Sequence, residues 1–229
     1  MSQTLCMVNH EFLSNISSET PAYWLGFLMA DGSISGGQLA LVLAQVDIDH
    51  LFCLRKVMKS THAIIHVTKN IGYGVFKANR FSVRSKQLCL DFRRWRDHIL
   101  LHGPNAVMPQ DCIRHFWRGI IDGDGYVGLN SPSRKNGKPK WRVGLYTDRA
   151  TCEHFANWAR TVSWTRATVR PHKSIFSVEI CGRELPVAIM RELYKESTIA
   201  LPRKKAVFER TNAADILLQY AQGDLRPLE

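Results

Sequence analysis

The sequence predicts an α+β fold built from two similar halves, each with an antiparallel sheet. Three observations carry that expectation. The segment YWLGFLMADG at residues 23–32 recurs as FWRGIIDGDG at residues 116–125, with Asp31 and Asp124 93 residues apart. Phe81-Ser82-Val83-Arg84 is echoed by Phe176-Ser177-Val178-Glu179, 95 residues later. Each copy of the first segment is then followed by the same order of strand-like and helix-like stretches, and a recurring period of this kind is the mark of a duplicated unit. Gly103-Pro104 and Pro109 break the chain between the copies. The expected division is a first half at 1–102, a linker at 103–112 and a second half at 113–229.

The elements follow in order. Each half opens with an apolar helix that ends in Asp-Gly. In the first half, Leu39, Leu41 and Leu43 alternate with Gln38, Ala40 and Val42, the period of a strand with one strongly apolar face. Asp49 is placed to cap a helix running through Leu51, Leu54 and Val57. In the second half, Trp141, Val143 and Leu145 alternate with Lys140, Arg142 and Gly144, and a helix from about Ala150 to Thr161 takes the matching place. Further strands and a last helix complete each half.

Composition narrows the function. The 229 residues carry 31 Lys+Arg against 20 Asp+Glu, a formal charge of +11, with 45% hydrophobic and 10% aromatic residues. That is a foldable chain rather than a disordered one, and its surface favours polyanions. The basic residues cluster at Arg93-Arg94-Trp95-Arg96, Arg134-Lys135, Lys138 to Arg142, Arg166 to Lys173 and Arg203-Lys204-Lys205. Clusters interleaved with Trp or His fit a phosphate-contacting surface; a basic but otherwise ordinary enzyme is the alternative. The longest aliphatic run, Leu39 to Ala44, is far short of a membrane span, and no signal peptide follows Met1. The six cysteines have no C-x-x-C or Cys/His spacing, so the expectation is reduced, mostly buried thiols in a reducing intracellular compartment.

The recurring segment asks for a physical reason. Gly26 and Ala30 are four apart, as are Gly119 and Gly123, so each pair lines one face of one helix. A glycine within a helix costs about 1 kcal/mol relative to alanine and needs a packing reason. Small residues at this spacing let backbones approach closely, and each face is the natural partner of the other. Helices crossing there would bring Asp31 and Asp124 together at C-terminal ends, where the macrodipole already disfavours anions. A divalent cation such as Mg²⁺ resolves that conflict. The alternative is that Asp-Gly only stops the helix and leads into a hairpin.

Residues 24–32 and 117–125 resemble the LAGLIDADG motif of homing endonucleases, the second copy more closely through Ile120-Ile121-Asp122-Gly123-Asp124-Gly125. The likeness, to the two-motif members of that family, runs over roughly residues 20–210. It implies a pseudo-two-fold αββαββα duplication, with the motif helices at the interface and the two sheets forming a saddle over double-stranded DNA. It also implies a monomer that needs no protein partner and cuts one phosphodiester per strand of a long, nearly non-palindromic target.

The family's last motif acid binds the metal, which maps onto Asp31 and Asp124, with the carbonyls of Ala30 and Gly123 beside them. Mg²⁺ is the implied cofactor, and Mn²⁺ or Ca²⁺ can take its place. Asp47 and Asp148, after the second strand of each half, match the polar residue near the attacking water. Lys204, in Leu201-Pro202-Arg203-Lys204, matches the basic residue of a Pro-Arg-Lys pattern that Gly103-Pro104-Asn105 in the first half lacks. Met29 stands where the second motif has the inner acid Asp122.

Expected base-reading residues on the strands are Ser33, Ser35, Gln38, Arg80, Ser82, Arg84, Lys140, Arg142, Arg166, Thr168 and Arg170. The rival function on the same fold is a non-catalytic nucleic-acid binder, either an intron RNA maturase or a DNA-binding regulator. His98 and His102, four apart, are read as a solvated or DNA-facing pair, and His62 and His66 as polar strand residues. Ser131 to Lys140 is read as a hairpin loop.

Overall fold

A computed structural model describes residues 6–71, 74–130, 140–164 and 166–210. Arg134, Lys135, Lys138 and all of the expected 131–140 hairpin loop except Lys140 lie outside them. The element order is α1 (Glu19–Asp31), β1 (Gly32–Ser35), β2 (Gln38–Ala44), α2 (Ile48–Val57), β3 (Ile64–Ile71), β4 (Gly74–Arg84), α3 (Lys86–His102), α4 (Gln110–Gly123), β5 (Gly125–Asn130), β6 (Lys140–Thr147), α5 (Arg149–Ser163), β7 (Val169–His172), β8 (Ile175–Gly182) and α6 (Leu185–Tyr194). A further helix starts at residue 202. This is αββαββα written twice. The sheets are antiparallel throughout, ordered β1-β2-β4-β3 and β5-β6-β8-β7.

Packing divides the chain at a different place from the sequence repeat. The two compact units are Met1–Asp124 and Gly125–Glu229, so α4 packs with the first unit although its sequence opens the second copy. It starts at Gln110, inside the stretch 103–112 expected as a linker.

In the first unit, α1 buries seven consecutive residues, Ala22 to Leu28. A helix apolar on all sides belongs in a core, and here its partner is α4, with Ile113, Phe116, Trp117, Ile120 and Ile121 buried. The β1–β2 hairpin turns on Gly36 and Gly37, both with positive φ, which a two-residue type I′ turn requires. The inner face of the sheet presents Leu39, Leu41, Leu43, Phe81 and Val83 to the helices. Leu28, Leu39, Leu41, Leu54, Met58, Phe81 and Val83 close around a void of about 10 Å³, at the lower limit for a single water. Helix α2 has Asp47 at its N-cap position and Asp49 inside its first turn. Asp49 therefore does not cap it, because the helix starts earlier, at Ile48.

In the second unit, Val143, Leu145, Val178 and Ile180 face α5 and α6 through Cys152, Phe155, Ala159, Ile189, Met190 and Leu193. Among the cysteines, Cys89, Cys112 and Cys152 are buried but Cys6, Cys53 and Cys181 are exposed, and all are free thiols. This corrects the expectation of mostly buried thiols. Cys181, for instance, sits on the outer face of β8, across from Arg142, and not on the inner face. No helix among the described residues is long and apolar enough to cross a membrane.

Candidate metal-binding carboxylates and nucleic-acid interface

The two motif helices meet backbone to backbone. A Cβ on Gly26 would run into the Phe116 carbonyl oxygen, and one on Gly119 into the Tyr23 carbonyl oxygen and to 2.7 Å from the Phe27 nitrogen. At the C-terminal end of the crossing, a Cβ on Gly123 would strike the Ala30 Cβ and lie 3.2 Å from Asp31 Oδ2. The Asp31 carboxylate therefore lies against the main chain of Gly123, one residue from Asp124. Asp31 is the last residue of α1, while Asp124 follows α4 and donates its N–H to the Ile120 carbonyl. Both are exposed.

Buried polar groups lock this crossing. The Tyr23 hydroxyl donates to Asp122 Oδ2 at 2.8 Å and lies 2.8 Å from His50 Nε2. Because the phenol has one proton and it goes to Asp122, His50 must donate to Tyr23. The inner acid Asp122 is thus 1% exposed and joins α4 to α1 and α2, while Met29 holds the matching place in α1. Further along, Arg118, fully buried, donates to Glu19 Oε1 and contacts His115 Nδ1 at 2.9 Å. Burial, and then the Arg118 charge, push the His115 pKa down to about 4, against an opposing pull from Glu19.

Asp47 and Asp148 occupy matching places, each just after the second strand of its unit and at the start of a helix. Asp148 Oδ1 accepts from the Thr151 backbone N–H at 2.9 Å and Oδ2 from the Thr151 hydroxyl at 2.7 Å, so it caps α5. Lys204 is 6% exposed, and its ammonium donates to the Gly125 carbonyl at 2.7 Å. That carbonyl belongs to the residue following Asp124.

The donor chemistry suits a hard cation: two carboxylates beside main-chain carbonyls at Ala30 and Gly123. Among the described residues, no group of three or more His, Cys, Asp or Glu could hold an ion by itself. An ion held by these two carboxylates would need further ligands from water or from a phosphate. His98 and His102 have ring centroids 6.2 Å apart on α3, and His66 lies on β3. His62 lies in the segment before β3, with its Nδ1 at the Ser60 hydroxyl.

Arg166 and Thr168, expected on a strand, lie in the segment before β7 (Val169–His172); the other base-reading candidates sort by register. Ser35 pairs with Gln38 and Gln38 with Arg84; Ser33 pairs with Ala40 and Ala40 with Ser82; Val42 pairs with Arg80. All six first-unit candidates therefore share the face opposite the apolar core. In the second unit, Lys140 and Arg142 share the outer face of β6, and Arg170 pairs with Ser177, which pairs with Tyr146. A trough of about 550 Å³ on this face is lined by Arg142, Tyr146, Arg166, Thr168, Arg170, Pro171, His172, Ser177, Glu179 and Cys181. The residues missed from sequence are Tyr146, His172, Ser177 and Glu179, and the strand alternation that placed Arg142 would have found them.

Members of two basic clusters also make internal hydrogen bonds. Trp95 Nε1 donates to the Leu13 carbonyl and Arg94 to the Ser14 carbonyl, tying α3 to the N-terminal segment. Lys205 donates to the Ser197 carbonyl beside the buried Lys204. Trp95 and Arg94 thus serve packing as well, because a long basic side chain on a helix can also satisfy neighbouring carbonyls.

No protein-family model and no curated protein sequence matches the chain. Solved structures do. A crystal structure of the meganuclease I-SmaMI bound to uncleavable DNA is 11% identical with a TM-score of 0.60, covering 91% of this chain and 93% of that one. The LAGLIDADG homing endonuclease I-GzeII in complex with its DNA target gives 11% identity, a TM-score of 0.60 and coverage of 90% and 92%. The LAGLIDADG homing endonuclease I-LtrWI bound to target DNA gives 13%, 0.55, and 93% and 92%. Over nine-tenths of its length, this chain has the fold of the LAGLIDADG homing endonucleases.

Proposed function

We propose that the protein is a site-specific, metal-dependent endonuclease that binds duplex DNA as a single chain and hydrolyses one phosphodiester on each strand. The observation that carries this is the crossing of the motif helices, which sets the Asp31 carboxylate against Gly123 and next to Asp124 on a chain of charge +11. The DNA-bound state of the structural neighbours supports the same reading.

In this reading Asp31 and Asp124, with the carbonyls of Ala30 and Gly123, hold Mg²⁺ or a similar divalent cation. Such an ion supplies an activated water and stabilises the leaving oxygen. Asp47 and Asp148 order the attacking water. A carboxylate offers about four acceptor sites, so Asp148 can do this while capping α5. Lys204, fixed on the Gly125 carbonyl, offsets charge that develops on the phosphate. The outer faces of the two sheets meet the grooves, where a β-ribbon fits. The chain works in a reducing intracellular compartment, in keeping with its free thiols.

The test is cleavage of a randomised duplex library with Mg²⁺ by the parent and by Asp31→Asn and Asp124→Asn. The parent is expected to cut a defined subset, and each variant to retain that subset without cutting one or both strands. A parent that retains DNA and never cuts would make the protein a binder on the same fold, with intron RNA the next ligand to try.

A further inference from the structure

Glu179 is an acid on a face that otherwise offers Lys140, Arg142, Tyr146 and Arg170 to a polyanion. An acid there lowers affinity for phosphate. Its partly exposed ion pair with Arg142, the two side chains being 25% and 29% exposed, contributes little to stability. Something else accounts for its place.

The surrounding residues are arranged around the pair. Glu179 pairs across the strands with Gly144, where a Cβ would run into the Val178 carbonyl oxygen and also come within 3.2 Å of Glu179 Cγ. The glycine thus admits the close approach of β8 and, with it, leaves the acid room to lie across β6 toward Arg142. On the other side Arg142 pairs with Gly128, where a Cβ would come within 2.6 Å of the Tyr126 hydroxyl oxygen. Tyr126 therefore lies along β5 over Gly128, and the Arg142 guanidinium carbon sits 5.7 Å from its ring centroid. Glu179 Oε2 accepts from Arg142 Nε at 3.0 Å and also from Nη2. Cys181 is the cross-strand partner of Arg142, but its sulfur is a weak acceptor. With the Nε edge held, the two-Nη edge is the one whose spacing matches O6 and N7 of guanine.

We propose that Glu179 is a specificity-determining positioning residue, holding Arg142 over Tyr126 so that Arg142 reads one guanine in the major groove of bound DNA. This rests on the proposed binding of duplex DNA by this face. In the first unit the sheet register puts Ser82, paired with Ala40, at the place of Glu179 and Gln38 at the place of Arg142, so the device belongs to the second half alone and reads one side of the target.

The experiment is selection of a randomised duplex library by binding in the presence of a chelator, followed by sequencing. It compares the parent with Arg142→Ala, Arg142→Lys, Glu179→Ala and Glu179→Gln, each checked by circular dichroism. The parent is expected to enrich a motif with one guanine whose preference falls roughly 5- to 150-fold in Arg142→Ala and Arg142→Lys. Glu179→Ala is expected to lose the same guanine while total DNA affinity holds or rises, since a negative charge is gone. Glu179→Gln, whose amide oxygen still accepts from the guanidinium, restores that position selectively, which a general loss of structure would not do.

A parental motif left unchanged by Arg142→Ala or Arg142→Lys, or a Glu179→Gln that loses the guanine as fully as Glu179→Ala, overturns the inference and leaves DNA binding standing. The same holds if Glu179→Ala, where it folds, changes nothing. A parent that enriches no duplex at all overturns the DNA reading and the inference with it.

Discussion

Replacing Gly119 by alanine sets two effects of opposite sign against each other. Helix propensity alone favours alanine by about 1 kcal/mol. Packing opposes it. The new methyl would run into the Tyr23 carbonyl oxygen and stand 2.7 Å from the Phe27 nitrogen, both backbone atoms of α1. Backbone inside the buried span of α1 cannot swing aside as a side chain can, so α1 and α4 must separate and loosen Trp24, Phe27, Phe116 and Ile120. Overpacking of this kind costs typically 1–3 kcal/mol net. For a chain of this size that is a fall in melting temperature of about 2–4 °C for each kcal/mol.

Gly123→Ala provides the contrast, because its methyl meets mainly the Ala30 Cβ, a side-chain atom. Ala30→Gly should then recover most of the loss in a double-mutant cycle, whereas no side-chain change on α1 should rescue Gly119→Ala. Thermal and urea unfolding followed by circular dichroism give both numbers. If Gly119→Ala proves as stable as the parent or more so, the close helix crossing is wrong, and with it the placement of Asp31 beside Gly123.

Other outcomes follow from the same structure. With about 6–10 phosphate contacts, DNA affinity should fall ~10³–10⁵ between 50 and 200 mM salt; a flat salt titration would refute binding by the basic face. His115, with a folded pKa of about 4 against an ordinary 6.5, binds its proton more readily when unfolded. Stability should therefore be lost as pH falls from about 6.5 to 4, by up to ~3 kcal/mol, and His115→Gln should flatten that slope in urea titrations at several pH values. Asp148→Ala should destabilise α5 by about 0.5–2 kcal/mol through loss of its cap. Asp148→Ser should restore that stability, and any deficit in cleavage that persists in it reports on the water-ordering role. Lys204→Met should cost about 1–3 kcal/mol by stripping the Gly125 carbonyl of its charged donor, read by the same unfolding assay.

Much of this protein was legible in its sequence, because the signals are local. The period-2 runs at Leu39–Leu43 and Trp141–Leu145 and the small residues at Gly26, Ala30, Gly119 and Gly123 depend only on spacing along one element. From them came the α+β class, the duplicated αββαββα order and the facing of the two motif helices. The six first-unit base-reading candidates fell on one sheet face for the same reason: alternation along a strand follows from the local extended backbone.

What tertiary structure alone decided is which groups meet across distant segments. Nothing local shows that Asp122 is buried against Tyr23 and His50 while Asp124, two residues on, is exposed. Nor does it show that Trp95 and Arg94 serve the N-terminal segment's carbonyls. The division of the chain at Asp124 is of the same kind, since α4 repeats α1 in sequence yet packs with it in one unit. So is the Arg142–Glu179 pair, which needs the β6–β8 register and two glycines on different strands to exist. Spacing along the chain sets what each element presents, and only the packed backbone sets what each side chain reaches.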